Sequence, residues 1–169
     1  MFKLKSVSGP LFVCCFAFTS LTALAQSPSI GSCPVLPSDN IWNTPIDQLP
    51  LSSYSASWVG TIGSASPLHP DFGTIYGMPY VTVPGTQIKY PATFQYAEDS
   101  DPGPYAIPLD VPIEGGSSST GDRHVISIDA DNCILYEMWS SYPQVASWNS
   151  GSGAIFALGL TTDSRRYSR

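Results

Sequence analysis

The sequence predicts a mainly β protein, an antiparallel sandwich or jelly roll with one short helix. Glycine (14) and proline (16) are abundant among the 169 residues, more turn chemistry than a helical bundle tolerates and less than a disordered repeat carries. Short β-branched and aromatic runs lie between those turns, as strands do. Hydrophobic residues make up 43% and aromatics 12% of the chain, which excludes disorder throughout. A chain of this length is expected to form one domain with a real core.

The chain opens on Lys3 and Lys5, an apolar run from Leu11 to Leu24, and the small-x-small triplet Ala23-Leu24-Ala25. That order reads as a secretory signal peptide over residues 1–25, cleaved before Gln26. The run is too short and poorly flanked for a membrane span. The β-rich domain is then expected over 26–160, with 161–169 a disordered tail. Losing Lys3 and Lys5 leaves 5 basic side chains against 13 acidic ones, a net charge of about −8. Such a field excludes nucleic acid and anionic membrane surfaces as partners. Cys14 and Cys15 leave with the leader, so Cys33 and Cys133 remain as one pair, for which a disulfide is the default in an exported chain. It would close a loop of about 100 residues, worth roughly 4–5 kcal/mol by chain entropy. Free thiols or a shared metal are weaker readings, because neither cysteine has a CxxC partner.

Along the mature chain, residues 26–37 are Ser- and Pro-rich and read as an extended lead-in pinned at Cys33. The helix is expected over Ser52–Ile62: Ser52 or Ser53 caps it, Tyr54, Trp58 and Ile62 recur every fourth residue, and Gly63 ends it. Residues 64–77 form a loop. Tyr80–Val83 is a strand bounded by prolines. Ile88, Tyr90, Phe94 and Tyr96 alternate with polar residues, and Pro91 puts that strand at an edge or bulge. Tyr105–Ile113 has a proline every fourth residue, so it is extended but not a central strand. Residues 115–121 form a Gly/Ser loop, and Ala154–Leu160 is the last strand.

The strongest local signal is the hairpin of Val125–Ile128 and Ile134–Tyr136 around Asp129-Ala130-Asp131-Asn132. A turn centred on Ala130-Asp131 pairs Ile128 with Cys133, Ile126 with Leu135 and His124 with Glu137. Alternation then sends all six side chains to one sheet face, with His124 and Glu137 at its end. A carboxylate beside an imidazole favours the protonated ring and fixes its orientation, which suits acid/base work or metal ligation. A structural ion pair at the sheet rim is the competing reading.

The nearby Asp122 and Arg123 join His124 and Glu137 as catalytic candidates, Asp122 or Glu137 to orient the histidine and Arg123 to hold substrate. His69 and Asp71, in a Pro/Gly-flanked loop, are expected to close the site from the opposite side or to serve only as turn residues. Two histidines with Asp71 or Glu137 are a thin metal set. HExxH, G-x-S-x-G, Walker and dinucleotide glycine patterns are absent, which excludes the common zinc-protease helix, the hydrolase elbow and a nucleotide cofactor. Glu98, Asp99 and Asp101 form either a weak calcium site or an acidic solvated turn. Tyrosine and tryptophan dominate the aromatics, rings with polar handles that suit sugars. Trp139 and Tyr105, with Glu114, are the candidate substrate-binding residues, unless these rings serve the core.

The order of Leu68-His69-Pro70-Asp71-Phe72-Gly73, Ser100-Asp101-Pro102-Gly103-Pro104-Tyr105, Ile113-Glu114-Gly115-Gly116, Gly121-Asp122-Arg123-His124-Val125 and Leu135-Tyr136-Glu137 resembles a family of secreted, β-rich bacterial proteins without an established function. The likeness runs from Cys33 to Phe156 and implies export and a β-rich fold, but no reaction. Members continue past the position of Phe156, and the basic residues 161–169 differ from everything upstream, so a C-terminally truncated copy is expected. The functional expectation is a secreted carbohydrate-active enzyme, a polysaccharide hydrolase or lyase. The alternative is a non-catalytic glycan-binding or envelope module, with or without calcium.

Overall fold

Alternating burial along a central hairpin organises this computed structural model, which describes residues 27–67 and 77–159. The leader, His69, Asp71 and the tail lie outside the described residues. The strands are β1 (Ser29–Ile30), β2 (Cys33–Pro34), β3 (Tyr80–Val83), β4 (Ala92–Phe94), β5 (Val125–Asp129), β6 (Ile134–Trp139), β7 (Tyr142–Pro143), β8 (Trp148–Ser150) and β9 (Ser152–Ala157), with helix α1 over Ser55–Ile62. They form a four-stranded sheet in the order β3-β5-β6-β9, a three-stranded sheet β4-β8-β7, and the small β1-β2 pair. The class is mainly β and sandwich-like. The pairings are antiparallel except β3 with β5 and β4 with β8, which run parallel.

One face of the large sheet is closed. Val125, Tyr136, Met138 and Ile155 point into a core shared with Tyr105, Ile107, Val111 and Trp148. The proline-spaced segment Tyr105–Ile113 is extended as expected, and it crosses the core instead of joining a ladder. Its backbone is tied by side chains: the Trp148 Nε1–H donates to the Ile107 carbonyl at 3.3 Å, and the Ser127 hydroxyl donates to that of Ala106. Tyr90, Ala92 and Phe94 pack on the same core and β4 is an edge strand, as Pro91 required, but the period-two pattern holds only at its middle, since the strand is confined to Ala92–Phe94 and Tyr96 is exposed. Ile88, at the start of that pattern, is exposed.

Among the described residues the opposite face is only half covered. Ile128 packs with Cys33 and Leu158 at one end, where Cys33 and Cys133 form a disulfide with Cα atoms 5.3 Å apart. The Ser52–Ile62 expectation is corrected at its start. The helix begins at Ser55, because the Ser52 hydroxyl accepts from the Tyr54 N–H and bends the chain into a turn before the first helical residue. No residue of α1 is buried, and Tyr54, Trp58 and Ile62 lie exposed with Trp42 and Leu51. The four-residue apolar spacing here is therefore no core face. Among the described residues no helix is long and apolar enough to cross a membrane.

The free edge of β9 is closed by the segment before Tyr105. The Ser100 hydroxyl accepts from the Gly153 N–H, the Asp101 N–H donates to the Gly153 carbonyl at 2.9 Å, and the Asp101 carboxylate accepts from the Ile155 N–H at 2.7 Å. The Tyr105 hydroxyl donates to the Asp101 carbonyl at 2.6 Å. Gly153 is required beneath it, since a Cβ there would lie 2.6 Å from that hydroxyl and against the Phe94 ring.

Two predictions follow from this packing. Reduction of the Cys33–Cys133 bridge should lower the unfolding free energy by roughly 4–5 kcal/mol, read from denaturant midpoints with and without reductant. An unshifted midpoint would count against the bridge. Burial, and secondarily the Asp101 carboxylate, hold the Tyr105 phenol well above its ordinary pKa. Its folded value exceeds the unfolded one, so its contribution is intact below about pH 10 and lost as pH rises beyond. Tyr105→Phe should cost about 1 kcal/mol at neutral pH and flatten that alkaline loss; parallel alkaline limbs for the two proteins would contradict it.

Candidate functional site

The site is built by the β5–β6 hairpin. The Asp129 carboxylate accepts from the Asp131 and Asn132 N–H groups at 3.1 and 3.0 Å and from the Asn132 side-chain amide at 2.8 Å. Cys133 completes the turn with φ 53°. The turn thus spans Ala130–Cys133, and the ladder pairs Ile128 with Leu135 and Ile126 with Glu137. The expected register is corrected by two residues, because Asp129 moves the turn centre one position along the chain. A two-residue shift preserves the face of every side chain, so His124 and Glu137 remain on one face as diagonal neighbours. The His124 Nδ1 and a Glu137 carboxylate oxygen lie 3.0 Å apart.

The pair does not stand alone at the sheet rim. A hollow of about 170 Å³ opens beside it, lined by Asp99, His124, Glu137, Trp139, Ser152, Gly153 and Ala154. β9 supplies the small residues: Ser152 pairs with Trp139 and Ala154 with Glu137, so no large side chain from β9 fills the space. The volume would hold about five waters at liquid density. The His124 and Glu137 side chains are 21% and 31% exposed, reachable yet partly desolvated. An ionised carboxylate can only accept, so Nδ1 presents its proton to Glu137, and in the neutral ring the lone pair is then on Nε2. Nε2 makes no hydrogen bond among the described residues.

Trp139 forms a wall. Its Nε1–H donates to an Asp122 carboxylate oxygen at 3.3 Å, its ring centroid is 6.2 Å from that of Tyr96, and a Cβ on Gly151 would collide with the indole. Asp122 therefore orients Trp139 instead of His124. Glu114 does not line the hollow. Its carboxylate accepts from the His124 N–H at 3.2 Å and its own N–H donates to the His124 carbonyl at 3.0 Å, so it positions the histidine backbone.

Two expected substrate contacts are corrected. Arg123 is 3% exposed; its Nε donates to the Ser141 carbonyl at 3.1 Å and its Nη1 to those of Ser117 and Ser119 at 2.9 and 2.8 Å. Its guanidinium stacks 4.3 Å from the Tyr142 ring centroid. Folding thus commits this group to the 117–119 loop, the β6–β7 turn and the Tyr142 ring. Tyr105 is fully buried in the core, where no ligand reaches it.

The acidic triplet is also redistributed. Asp101 is buried with its carboxylate on the Ile155 N–H, Glu98 stays outside the hollow, and Asp99 lines its rim. Among the described residues no three His, Cys, Asp or Glu side chains are placed to hold a metal ion, so these three do not make the calcium site considered from sequence. The residues that sequence reasoning missed are Asp99 as part of this site, and Ser152 and Ala154. The short Ser-Gly-Ala start of an otherwise apolar strand was their one signal.

Comparison with protein-family models, with curated proteins and with solved structures gave no match.

Arg123→Lys should lose the forked contacts while retaining a buried charge, and should destabilise the protein by about 2–3 kcal/mol. Urea denaturation measures this; an unchanged midpoint would mean that the guanidinium contacts add nothing.

Proposed function

We propose that the His124–Glu137 pair is the acid/base centre of an exported carbohydrate-active enzyme, a hydrolase or lyase. The observation that carries this reading is the 3.0 Å contact of Nδ1 with the carboxylate beside an open hollow. Glu137 fixes the tautomer, and Nε2 takes a proton from the reacting hydroxyl, water or ring carbon and returns it to the leaving oxygen. Asp99 supplies a second carboxylate, and Trp139 a ring on which a sugar stacks while its hydroxyls reach the carboxylates. Export is part of the proposal, supported by the leader-like residues 1–25 and the Cys33–Cys133 bridge. A poly- or oligosaccharide is the partner.

A glycan-binding module is the second reading. The adjoining Tyr96 and Trp139 rings favour it, since they make a platform that binds sugar without turnover. Screening the protein and its His124→Ala variant against polysaccharides, with reducing-end and unsaturated-product readouts, separates the two. An enzyme should lose about 10²–10⁴-fold in turnover on His124→Ala and less on Glu137→Gln. Binding without turnover in either protein would support the module, and full activity in His124→Ala would overturn the acid/base role.

A further inference from the structure

The hollow carries a charge bias that narrows its ligand, on the reading that the ligand is a sugar. Among the described residues the only lysine or arginine side chains are Lys89 and Arg123. Neither serves the hollow. Arg123 is buried on three carbonyls and the Tyr142 ring. The Lys89 Nζ sits 5.6 Å from the centroid of Tyr136, which precedes Glu137 on β6 and so points to the opposite face of the sheet. The hollow is lined instead by Asp99, Glu137 and Trp139, with His124 held on Glu137. Asp99, unlike Asp122 and Asp101, has no side-chain hydrogen bond among the described residues and is free to accept one.

Each of these features acts against an anion and for a cation. A uronate carboxylate would meet the Asp99 and Glu137 carboxylates, with only the His124 imidazole, itself held by Glu137, to offset them among the described residues, and like-charge juxtapositions cost several kcal/mol in general. A protonated amine would gain charge-assisted hydrogen bonds from the carboxylates and cation–π attraction from the indole. We infer that this hollow is selective for a sugar bearing a protonated amine, a glucosamine-type residue, and rejects uronic-acid sugars. Specificity arises from Asp99 in particular, because Glu137 is already engaged with His124.

The test is a titration of the full disulfide-bonded protein with three oligosaccharide sets: glucosamine oligomers, their N-acetylated counterparts, and galacturonate oligomers. It is read by NMR shifts of the Trp139 indole and by calorimetry under mildly acidic conditions, where the sugar amine is charged. The glucosamine oligomers should bind at least tenfold more tightly than either of the others, and more weakly as salt is raised. Asp99→Asn should abolish most of that preference while leaving the unfolding midpoint unchanged, because its side chain is exposed and makes no hydrogen bond among the described residues. Equal or tighter binding of the acetylated or uronate oligomers would overturn the selectivity while leaving the carbohydrate reading intact. Failure of all three sets to bind would overturn both.

Discussion

Three hydrogen bonds on the Asp129 carboxylate hold the turn between β5 and β6, and the geometry of the site follows from them. They decide which residue of one strand faces which residue of the other. That register sets Glu137 one step from His124 on the diagonal, places Trp139 at the end of the row, and aligns Ser152 and Ala154 across from them on β9. A one-residue slip would send Glu137 into the core and Tyr136 to the open face. The turn aspartate thus sets the geometry at the far end of the hairpin, while Cys33–Cys133 ties its near end to the N-terminal strands.

The two faces of the large sheet are occupied by different means. Bulky rings and a proline-spaced segment seal one face, with its backbone carbonyls satisfied by Ser127 and Trp148. Among the described residues the other face is sealed only toward Ile128, and small residues on β9 leave its opposite end open. A buried carboxylate and a serine hydroxyl close the outer edge of β9, which removes a free edge beside the hollow. The same segment carries Asp99 to the rim, so an edge-protecting device and a carboxylate lining the hollow share three neighbouring residues.

Charge is used sparingly, and burial determines what each charge does. Arg123 is adjacent to His124 in sequence, yet its left-handed backbone, φ 54°, and its carbonyl partners turn it into the organiser of a loop. Glu114 holds the histidine backbone, and Asp122 holds the indole. Of the acidic side chains near the hollow, Asp99 is the one without a side-chain hydrogen bond, and the two cations among the described residues, Lys89 and Arg123, lie elsewhere.

The sequence by itself determined what depends on local patterning. The mainly β class, the lone cysteine pair, the central hairpin, the edge position of β4 and the shared face of His124 and Glu137 all follow from alternation, turn residues and counting. Tertiary structure decided whatever depends on which surfaces meet. Composition cannot distinguish a buried Tyr105 from an exposed Trp139, a loop-binding Arg123 from a substrate-binding one, or a clamped Asp101 from a free Asp99 two residues earlier. Neither could the spacing of Tyr54, Trp58 and Ile62 reveal that α1 packs on nothing among the described residues. Periodicity reports the direction of a side chain from its own backbone, and its function is settled by what other segments of the chain bring within a few ångströms of it.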